Sequence, residues 1–256
     1  MSHILNDIIQ VKRQEVNVLK QRFNYSDFES GRYFYHECKS ISKALQASDF
    51  GIIAEIKRRS PSAGDIRPNM DIATIAKEYQ SLGASAISCL TDFNFFGGSI
   101  DDLLTVKANA SIPVLRKEFI IDEIQLFEAK ANGADAILLI AEVLTKEEAL
   151  NLTIIAQSLG MEVIMEFHDR NQLSKINELV NIIGVNNRNL ALQQTSVQNS
   201  FDVIEFLPPE TVLISESGIS TKAELDQLKA VGYSGALIGE SILKQTDIRS
   251  FFHQMA

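Results

Sequence analysis

Two residue types are scarce in this sequence of 256 residues, which contains only two cysteines and no tryptophan. Cys38 and Cys89 have no histidine or further cysteine beside them at the spacing of a metal site. We therefore expect a reducing compartment, with neither a disulfide framework nor a zinc site. No stretch of about 18 apolar residues occurs, which predicts a protein without a membrane-spanning helix. Residues 1–7 are too polar for a secretory signal peptide, so the expected location is cytoplasmic.

Positive charge is also in deficit, because 24 lysines and arginines face 33 aspartates and glutamates, for a net charge of −9. No long basic stripe interrupts this acidic balance, and we therefore expect no nucleic-acid partner. An anionic substrate would have to be held by a local basic pocket. Hydrophobic residues make up 45% of the chain, which is enough for a soluble globular protein with a sizeable core.

Residues 50–62 combine an apolar run with charge. Gly51 to Ala54 are typical of a buried strand, and Glu55 and Lys57 follow two residues apart. That spacing places both charged side chains on one face of the strand. A carboxylate and an ammonium at the end of a buried strand cost free energy unless they are used. This stretch is therefore the first indication of an active site.

Strands and helices alternate from residue 51 onward. Apolar strands are predicted at 51–56, 85–90, 112–116, 135–140, 161–166, 181–186, 211–215 and 234–238, with helical patterns between them, as at 72–82, 126–132, 146–159 and 222–231. Glycine follows several of these helices just before the next strand, at Gly83, Gly133, Gly160 and Gly232. The intervals between these glycines approximate whole multiples of about 25 residues, which is the spacing of βα units.

Eight βα units fit either a closed (β/α)8 barrel or an open doubly wound sheet. An open sheet normally carries a glycine-rich loop after its first strand, and residues 57–62 contain no glycine. The α/β class with a TIM barrel at 50–256 is therefore favoured. Residues 1–49 are predicted to form an N-terminal helical arm, with helices at 4–19 and 41–46. An independent unit of about 48 residues would need its own core, so we expect a single domain over 1–256.

Polar residues gather where the predicted strands end. They are Glu55 and Lys57 on strand 1, Lys117 on strand 3, Glu166 on strand 5, Asn186 and Arg188 on strand 6, Glu216, Ser217 and Gly218 on strand 7, and Gly239 and Glu240 on strand 8. In a barrel these ends meet at one rim, which is where the chemistry of such folds takes place. So many charged residues on one rim favour an active site over a network of salt bridges that has no catalytic role.

The two lysines are candidate general acids or anion anchors, and burial among strands is expected to lower the pKa of Lys57 and Lys117 and ease proton donation. Glu55 and Glu166 are candidate bases, each able to pair with a lysine until substrate arrives. The loops at 217–220 and 239–241 each combine glycine with a following helix, a pattern that suits phosphate. Phe96 and its aromatic neighbours fit either a pocket for an aromatic ring or core packing.

Several of these segments resemble the indole-3-glycerol-phosphate synthase family of tryptophan biosynthesis. The matching segments include Ile53-Ala-Glu-Ile-Lys-Arg-Arg-Ser-Pro-Ser62, Leu115-Arg-Lys-Glu-Phe119, Met165-Glu-Phe-His-Asp169, Gly184-Val-Asn-Asn-Arg-Asn189, Ser215-Glu-Ser-Gly-Ile219 and Leu237-Ile-Gly-Glu-Ser241. They run in family order through the chain, and together they are highly specific. One departure lies after Phe96, where Gly97 replaces the glutamine that is usual in the family.

The resemblance implies a carboxy-lyase that needs no cofactor and no metal and acts on 1-(2-carboxyphenylamino)-1-deoxyribulose 5-phosphate. Ring closure, decarboxylation and dehydration would yield indole-3-glycerol phosphate. Lys117 would be the general acid and Glu166 the base in dehydration. Glu55 would orient Lys117 or share in proton transfer, and Lys57 would be a second acid. The remaining implied contacts are with substrate for Ser60, Phe96, Asn186, Arg188 and Glu216, and with phosphate for Lys57, Ser217, Gly218, Gly239 and Glu240.

Two other functions stay open on the sequence. Another phosphate-binding barrel, such as phosphoribosylanthranilate isomerase or the tryptophan synthase α-subunit, would share the loops of strands 7 and 8. A non-catalytic phosphosugar-binding barrel would have lost an acid or a base, and none is lost here. The expected partner is a phosphorylated small molecule, with no membrane contact. The oligomeric state is not readable from the sequence, and a monomer is one of the expected states.

Overall fold

The structure, a computed structural model, describes residues 3–189 and 194–255. Eight parallel strands form a closed barrel: β1 (Gly51–Ile56), β2 (Ala86–Leu90), β3 (Val114–Lys117), β4 (Ala136–Ile140), β5 (Glu162–Phe167), β6 (Ile182–Asn186), β7 (Val212–Glu216) and β8 (Gly235–Ile238). Neighbours in the chain are neighbours in the barrel, and β8 pairs with β1 to close it. The predicted barrel is confirmed, and each predicted strand lies within two residues of an observed one.

Twelve α-helices accompany the barrel within the described ranges. They are α1 (His3–Arg22), α2 (Tyr25–Phe28), α3 (Ile41–Gln46), α4 (Ile72–Ser81), α5 (Phe93–Phe96), α6 (Ile100–Asn109), α7 (Ile124–Ala131), α8 (Lys146–Ser158), α9 (Gln198–Val203), α10 (Lys222–Ala230), α11 (Glu240–Leu243) and α12 (Ile248–Met255). Short 3₁₀ segments lie at Arg170–Lys175 and Ile204–Phe206, and two-residue strands pair at 59–60 with 64–65 and at 188–189 with 194–195.

Local sequence signals account for several helix ends. Thr145 and Glu148 form a capping box at the start of α8, and Thr221 and Glu224 form another at the start of α10. Four of the chain's turns after a helix place glycine at positive φ, as the sequence predicted: Gly83, Gly133, Gly160 and Gly232. None of the described helices is long and apolar enough to cross a membrane.

The barrel strands are buried on both faces. Side chains that point outward pack under the helices, whereas Ile53, Leu115, Leu138 and Ile164 point inward and fill the barrel interior. Because both faces are covered, the strand sequences are continuous apolar runs and do not alternate between apolar and polar residues.

The helix α3 closes the amino-terminal end of the barrel, which we call the floor. Leu45 is fully buried there, and an added Cβ would lie 2.5 Å from its Cδ2 at Gly51 and 2.8 Å at Gly235. The strands β1 and β8, which begin beside α3, therefore require glycine at these positions. Glu162, the first residue of β5, accepts hydrogen bonds from the Ser40 and Ser42 hydroxyls, both at 2.6 Å.

The helix α1 covers the opposite end, which we call the mouth. Leu5, Ile8 and Ile9 are buried and join the apolar cluster inside the barrel. The amphipathic helix predicted at 4–19 is thus confirmed, with three more residues at its carboxyl end. The floor and the mouth are consequently both closed by segments that precede the first strand.

Candidate active site

A cavity of about 380 Å3 lies at the mouth, where the strands end. Its wall comes from α1 and from most of the βα loops, and its charged or polar members include Glu55, Lys57, Ser60, Ser62, Lys117, Glu118, Glu166, Asn186, Arg188, Thr195, Ser217, Glu240, Ser241 and Lys244. Of the residues predicted from the sequence, all line this cavity except Glu216. The strand ends therefore bring the predicted set together.

Lys117 lies at the centre of the charged group. Its Nζ is 2.7 Å from Glu216 Oε2, 3.5 Å from Glu55 Oε2 and 3.5 Å from Glu166 Oε2. These carboxylates come from three different strands, and each side chain is almost fully buried. One ammonium group is therefore shared by three carboxylates at the bottom of the cavity.

Lys57 and Glu55 lie on the same face of the first strand, as their spacing predicted. Lys57 Nζ donates to Glu55 Oε1 at 2.6 Å. Lys57 is therefore half of an ion pair and also part of the cavity wall. Pairing of this kind keeps the ammonium in place until an anionic group competes for it.

The expected fall in the pKa of Lys117 is wrong. Burial lowers the pKa of this ammonium, but the charges of Glu216, Glu55 and Glu166 together outweigh burial and raise it above its ordinary value. The prediction from the sequence included only desolvation. The carboxylates that raise the pKa come from positions far away along the chain. Lys117 is consequently held in its protonated form.

The carboxylates around Lys117 differ from one another. Burial raises the pKa of Glu55, but Lys57 and Lys117 outweigh that effect and the pKa ends below its usual value. Burial raises the pKa of Glu216 to about 8, and the nearby Glu166 contributes in the same direction against Lys117. Glu55 is thus held as a carboxylate, whereas Glu216 favours the neutral acid near neutral pH.

Asn186 and Arg188 connect the sixth strand end to this group. Asn186 Nδ2 donates to Glu166 Oε1 at 2.9 Å, and its Oδ1 accepts from the Arg188 backbone N–H at 2.9 Å. The Arg188 guanidinium reaches Ser62 Oγ and lies 3.6 Å from Glu240 Oε2. Asn186 therefore orients Glu166, while Arg188 crosses the open side of the cavity.

The loop after β7 presents backbone groups to the cavity. Ser217 adopts φ 71° and Gly218 φ 79°, and Ser217 is the non-glycine residue that has a left-handed backbone in the described part of the chain. Such a conformation costs free energy in a residue with a side chain. The Asn187 amide Nδ2 donates to the Ser217 carbonyl at 3.0 Å and thereby stabilises it.

Gly239 and Glu240 supply the neighbouring loop, after β8. A Cβ at Gly239 would lie 2.5 Å from Glu55 Oε1, so glycine is needed for the close approach of β8 to β1. Glu240 begins the short helix α11, and Ser241 Oγ donates to the Ile219 carbonyl at 2.7 Å. That hydrogen bond joins the two loops that the sequence predicted to bind phosphate.

Apolar side chains line the rest of the cavity: Ile4, Leu5, Ile8, Leu90, Phe96, Phe119, Leu138, Ile140, Ile219, Leu237 and Ile238. Those of α1, together with Phe96 after β2 and Phe119 after β3, lie on the side of the barrel away from β7 and β8. Phe96 and Phe119 contact each other with ring centroids 6.0 Å apart, whereas Phe93 is largely exposed. Phe96 was predicted from the sequence as a pocket residue, whereas Phe119 and the three α1 residues were not. The apolar face of α1 indicated that this helix packs against another part of the protein.

Lys12 is a buried cation that the sequence analysis did not single out. Its Nζ lies 2.9 Å from Glu118 Oε1, 3.2 Å from Asp92 Oδ2 and 2.5 Å from Glu15 Oε2. Glu118 directly follows Lys117 in the chain. The ion pairs therefore attach α1 to the loops after β2 and β3, and they hold the apolar wall against the charged group.

His168, Cys89 and Gly97 have contacts typical of structural roles. His168 Nδ1 pairs with Glu142 Oε1 at 2.8 Å, and Cys89 is fully buried in β2. Gly97 ends α5 at φ 68°, and its carbonyl accepts from Arg58 Nη1 at 2.8 Å. In residues 3–189 and 194–255 no group of three or more His, Cys, Asp or Glu is arranged to hold a metal ion.

Comparison with known sequences gives a consistent result. Residues 5–255 match the family model described as indole-3-glycerol phosphate synthase. The protein of that name from Bacteroides thetaiotaomicron is 45% identical over 244 residues, which is 95% of this chain and 94% of the relative. The one from Leptospira interrogans is 41% identical over 247 residues, or 96% and 94% of the two chains.

Comparison with solved structures concerns the fold alone, because the identities are low. A 3-hexulose-6-phosphate synthase from Salmonella typhimurium has a TM-score of 0.64 at 10% identity and covers 80% of this chain and 96% of its own. A mutant tryptophan synthase α-subunit from Pyrococcus furiosus has a TM-score of 0.60 at 13% identity and covers 80% and 97%. Both similarities support the barrel.

Proposed function

The chain belongs to the indole-3-glycerol phosphate synthase family, and we propose that the mouth of its barrel carries out the reaction of that family. The substrate is 1-(2-carboxyphenylamino)-1-deoxyribulose 5-phosphate, a phosphorylated small molecule. Ring closure, loss of carbon dioxide and loss of water convert it to indole-3-glycerol phosphate. The protein is thus a carboxy-lyase of tryptophan biosynthesis.

The observation that carries the proposal is the division of the cavity into three parts. Lys117 and three carboxylates lie at the bottom, apolar side chains from α1, Phe96 and Phe119 lie at one end, and the loops of Ser217 and Gly239 lie at the other. A substrate with a reactive carbonyl, an aromatic ring and a phosphate matches these parts in that order. We propose that the apolar end binds the ring and that the loops bind the phosphate.

Lys117 supplies the proton for ring closure. As the aromatic carbon attacks the carbonyl carbon of the ribulose chain, the oxygen gains negative charge and accepts a proton from the Lys117 ammonium. The raised pKa of Lys117 keeps this group charged at neutral pH, and an ammonium in an enclosed site stabilises the developing charge. Glu55 pairs with both lysines and orients them, and Lys57 serves as the second acid.

Glu166 acts after the carboxyl group of the substrate has left. Loss of carbon dioxide restores the aromatic ring, and Glu166 then removes a proton in the dehydration that completes the indole. Its Oε1 accepts from Asn186, and its Oε2 has no hydrogen-bond donor in the described part of the chain. Asn186 therefore holds the carboxylate in orientation, and Oε2 retains lone pairs that can take a proton.

The phosphate contacts follow from the loop geometry. The backbone of Ser217 and Gly218, together with Gly239 and Glu240, lines the cavity beside Lys57 and Arg188. We propose that these groups bind the phosphate, with Ser60 and Arg188 closing over the sugar. We also propose that residues 1–49 and the barrel act as one domain, because α1 forms part of the cavity wall.

Indole fluorescence tests the function directly. Mixing the purified protein with the substrate is expected to produce indole emission, and the absence of tryptophan leaves a clean background. Lys117→Ala is expected to abolish turnover and to leave substrate binding by calorimetry largely intact. Lys146→Ala, at an exposed lysine of α8, is the matched control and keeps full activity.

Two results would contradict the assignment. Absence of indole emission with the wild-type protein would reject the function, and near wild-type kcat in Lys117→Ala would reject the role of this lysine. If the variant lost binding and turnover together, Lys117 would be a binding residue rather than the acid.

A further inference from the structure

Glu216 ends β7 beneath the cavity rather than on its wall. Its Oε2 accepts from Lys117 Nζ at 2.7 Å, and its side chain is 1% exposed. Its Oε1 is packed over Gly184, where an added Cβ would lie only 2.3 Å from it. The sequence predicted Glu216 as a substrate contact, but the structure places Lys117 between it and the cavity.

Two carboxylate oxygens in this group have no hydrogen-bond donor among residues 3–189 and 194–255. They are Glu216 Oε1 and Glu166 Oε2, and both are buried. An ionised carboxylate can only accept hydrogen bonds, so two ionised groups cannot satisfy each other. Leaving both oxygens unpaired in a buried site costs free energy.

The charges of the group do not balance either. Glu55, Glu166 and Glu216 carry three negative charges when ionised, against the two ammonium groups of Lys57 and Lys117. The nearest residues of β6, Asn186 and Asn187, are neutral, and so are the residues of β8. Arg188 lies further out against Glu240. One proton on the carboxyl groups would remove the excess charge and supply the missing donor.

We propose that Glu216 and Glu166 share one proton in the substrate-free enzyme, and that Glu216 holds it. Glu216 is then a positioning residue: it accepts from Lys117 through one oxygen and donates to Glu166 through its carboxyl proton. This arrangement keeps Glu166 ionised beside a protonated lysine, which is the state that the proposed reaction requires. The inference rests on the proposed function for its role in turnover, but not for the proton itself.

The titration behaviour of Glu216 agrees with this geometry. Burial raises its pKa to about 8, Glu166 adds to the rise through its charge and through the hydrogen bond that it accepts once Glu216 is protonated, and Lys117 opposes it. Glu55 and Lys57 complete the charged groups of the cluster. Because the neutral acid is the working form, activity should fall as the pH rises through the pKa of Glu216.

Infrared difference spectroscopy on the free enzyme tests the proton without any substrate. Wild type minus Glu216→Gln at pH 7 is expected to show the carbonyl stretch of a protonated carboxyl group, which disappears as the pH passes about 8. Glu240→Gln is the matched control, because Glu240 is partly exposed and its pKa is lowered by Lys244 despite burial. This control should remove only ionised carboxylate bands. A wild-type spectrum without the protonated band would overturn the proposal.

The kinetic test compares two substitutions of Glu216. Glu216→Gln keeps a donor and an acceptor, so kcat at pH 7 should stay within about threefold of wild type and the alkaline fall in activity should disappear. Glu216→Leu has neither, and kcat should fall about tenfold or more with little change in KM. The proposal fails if Glu216→Gln is as damaged as Glu216→Leu, or if it keeps the alkaline fall. The infrared result remains informative even if the wild-type protein fails to turn over the substrate.

Discussion

Glu162 and Glu166 lie on the same strand of the barrel, one at the floor and the other at the mouth. Both oxygens of Glu162 are satisfied, since it accepts from the Ser40 and Ser42 hydroxyls at 2.6 Å and from the Ser42 backbone N–H at 2.9 Å. Glu166 has one amide donor at 2.9 Å and an ammonium at 3.5 Å, and one of its oxygens has no hydrogen-bond partner. The same residue type therefore has opposite surroundings at the two ends.

Asp135 extends the contrast at the floor. It is buried at the start of β4, where it accepts from Lys107 Nζ at 2.6 and 2.7 Å and from two backbone N–H groups at 2.8 Å. Both of these floor carboxylates are paired with donors that hold them in place and contribute to stability. Glu166 and Glu216 at the mouth share too few donors, which costs stability and leaves protons and charges available to a substrate.

The largest effect is expected from removing the base at the mouth. Glu166→Gln keeps the shape of the side chain and its contact with Asn186, but it cannot take a proton. We expect kcat to fall by roughly 10²- to 10⁴-fold with little change in KM or in thermal stability. Steady-state kinetics and thermal unfolding measure this. A variant with a lower melting temperature and an unchanged kcat would show that Glu166 contributes to stability, like the carboxylates at the floor, and not to catalysis.

The next effect concerns the anchor of α1. Lys12→Met removes the cation that Glu118 and Asp92 share and leaves Arg116, 4.0 Å from Glu118, as a more distant cation. We expect a loss of roughly 3–5 kcal/mol in the free energy of unfolding. Lys20→Met, at an exposed lysine of the same helix, is the control and should change stability by about 1 kcal/mol or less. Chemical denaturation compares the two variants.

The same pair predicts a pH dependence. Burial raises the pKa of Glu118, but Lys12 and Arg116 outweigh it and hold the pKa below its usual value. The stabilisation is therefore present above the ordinary pKa of a glutamate and is lost as the pH falls through the lowered one. In Lys12→Met, the free energy of unfolding should therefore fall less steeply at acid pH, in the acid limb of the stability profile. An acid limb equal to that of wild type would show that Lys12 does not hold Glu118.

A smaller effect separates two asparagines at opposite ends of β6. Asn187 holds the Ser217 carbonyl at the mouth, whereas Asn181 accepts from the Val163 backbone N–H at the floor. Asn187→Ala should raise KM about tenfold with little change in kcat, because the left-handed loop loses its support. Asn181→Ala should lower the melting temperature and leave KM unchanged. Equal changes in KM would refute the division of roles.

The smallest effect is expected at the floor of β5. Glu162→Gln keeps an oxygen that accepts from the serine hydroxyls but loses the charge and the acceptor for the Ser42 backbone N–H, so the free energy of unfolding should fall by about 1 kcal/mol. The kcat and KM values of this variant should match those of wild type. A loss of activity comparable to that of Glu166→Gln would remove the distinction between the two ends.

Local signals were enough to predict much of the fold. The glycines that end helices and the apolar runs of the strands act over a few residues, and they were found where they were expected. Sorting of polar residues to the strand ends also located the cavity, because parallel strands in a closed barrel end at one rim. The cover formed by α1 and the floor formed by α3 could not be assigned in the same way, since an amphipathic helix does not reveal what it covers.

The sequence by itself determined which residues end each strand, and hence that Glu55, Lys57, Lys117 and Glu166 meet at the mouth. Only the tertiary structure decided how they pair. Lys117 and Glu216 are 99 residues apart and come within 2.7 Å because the barrel closes. The raised pKa of Lys117 and the unpaired oxygens of Glu166 and Glu216 follow from that closure. Electrostatic effects depend on distances through space, and the order of residues in the chain fixes those distances only over a few positions.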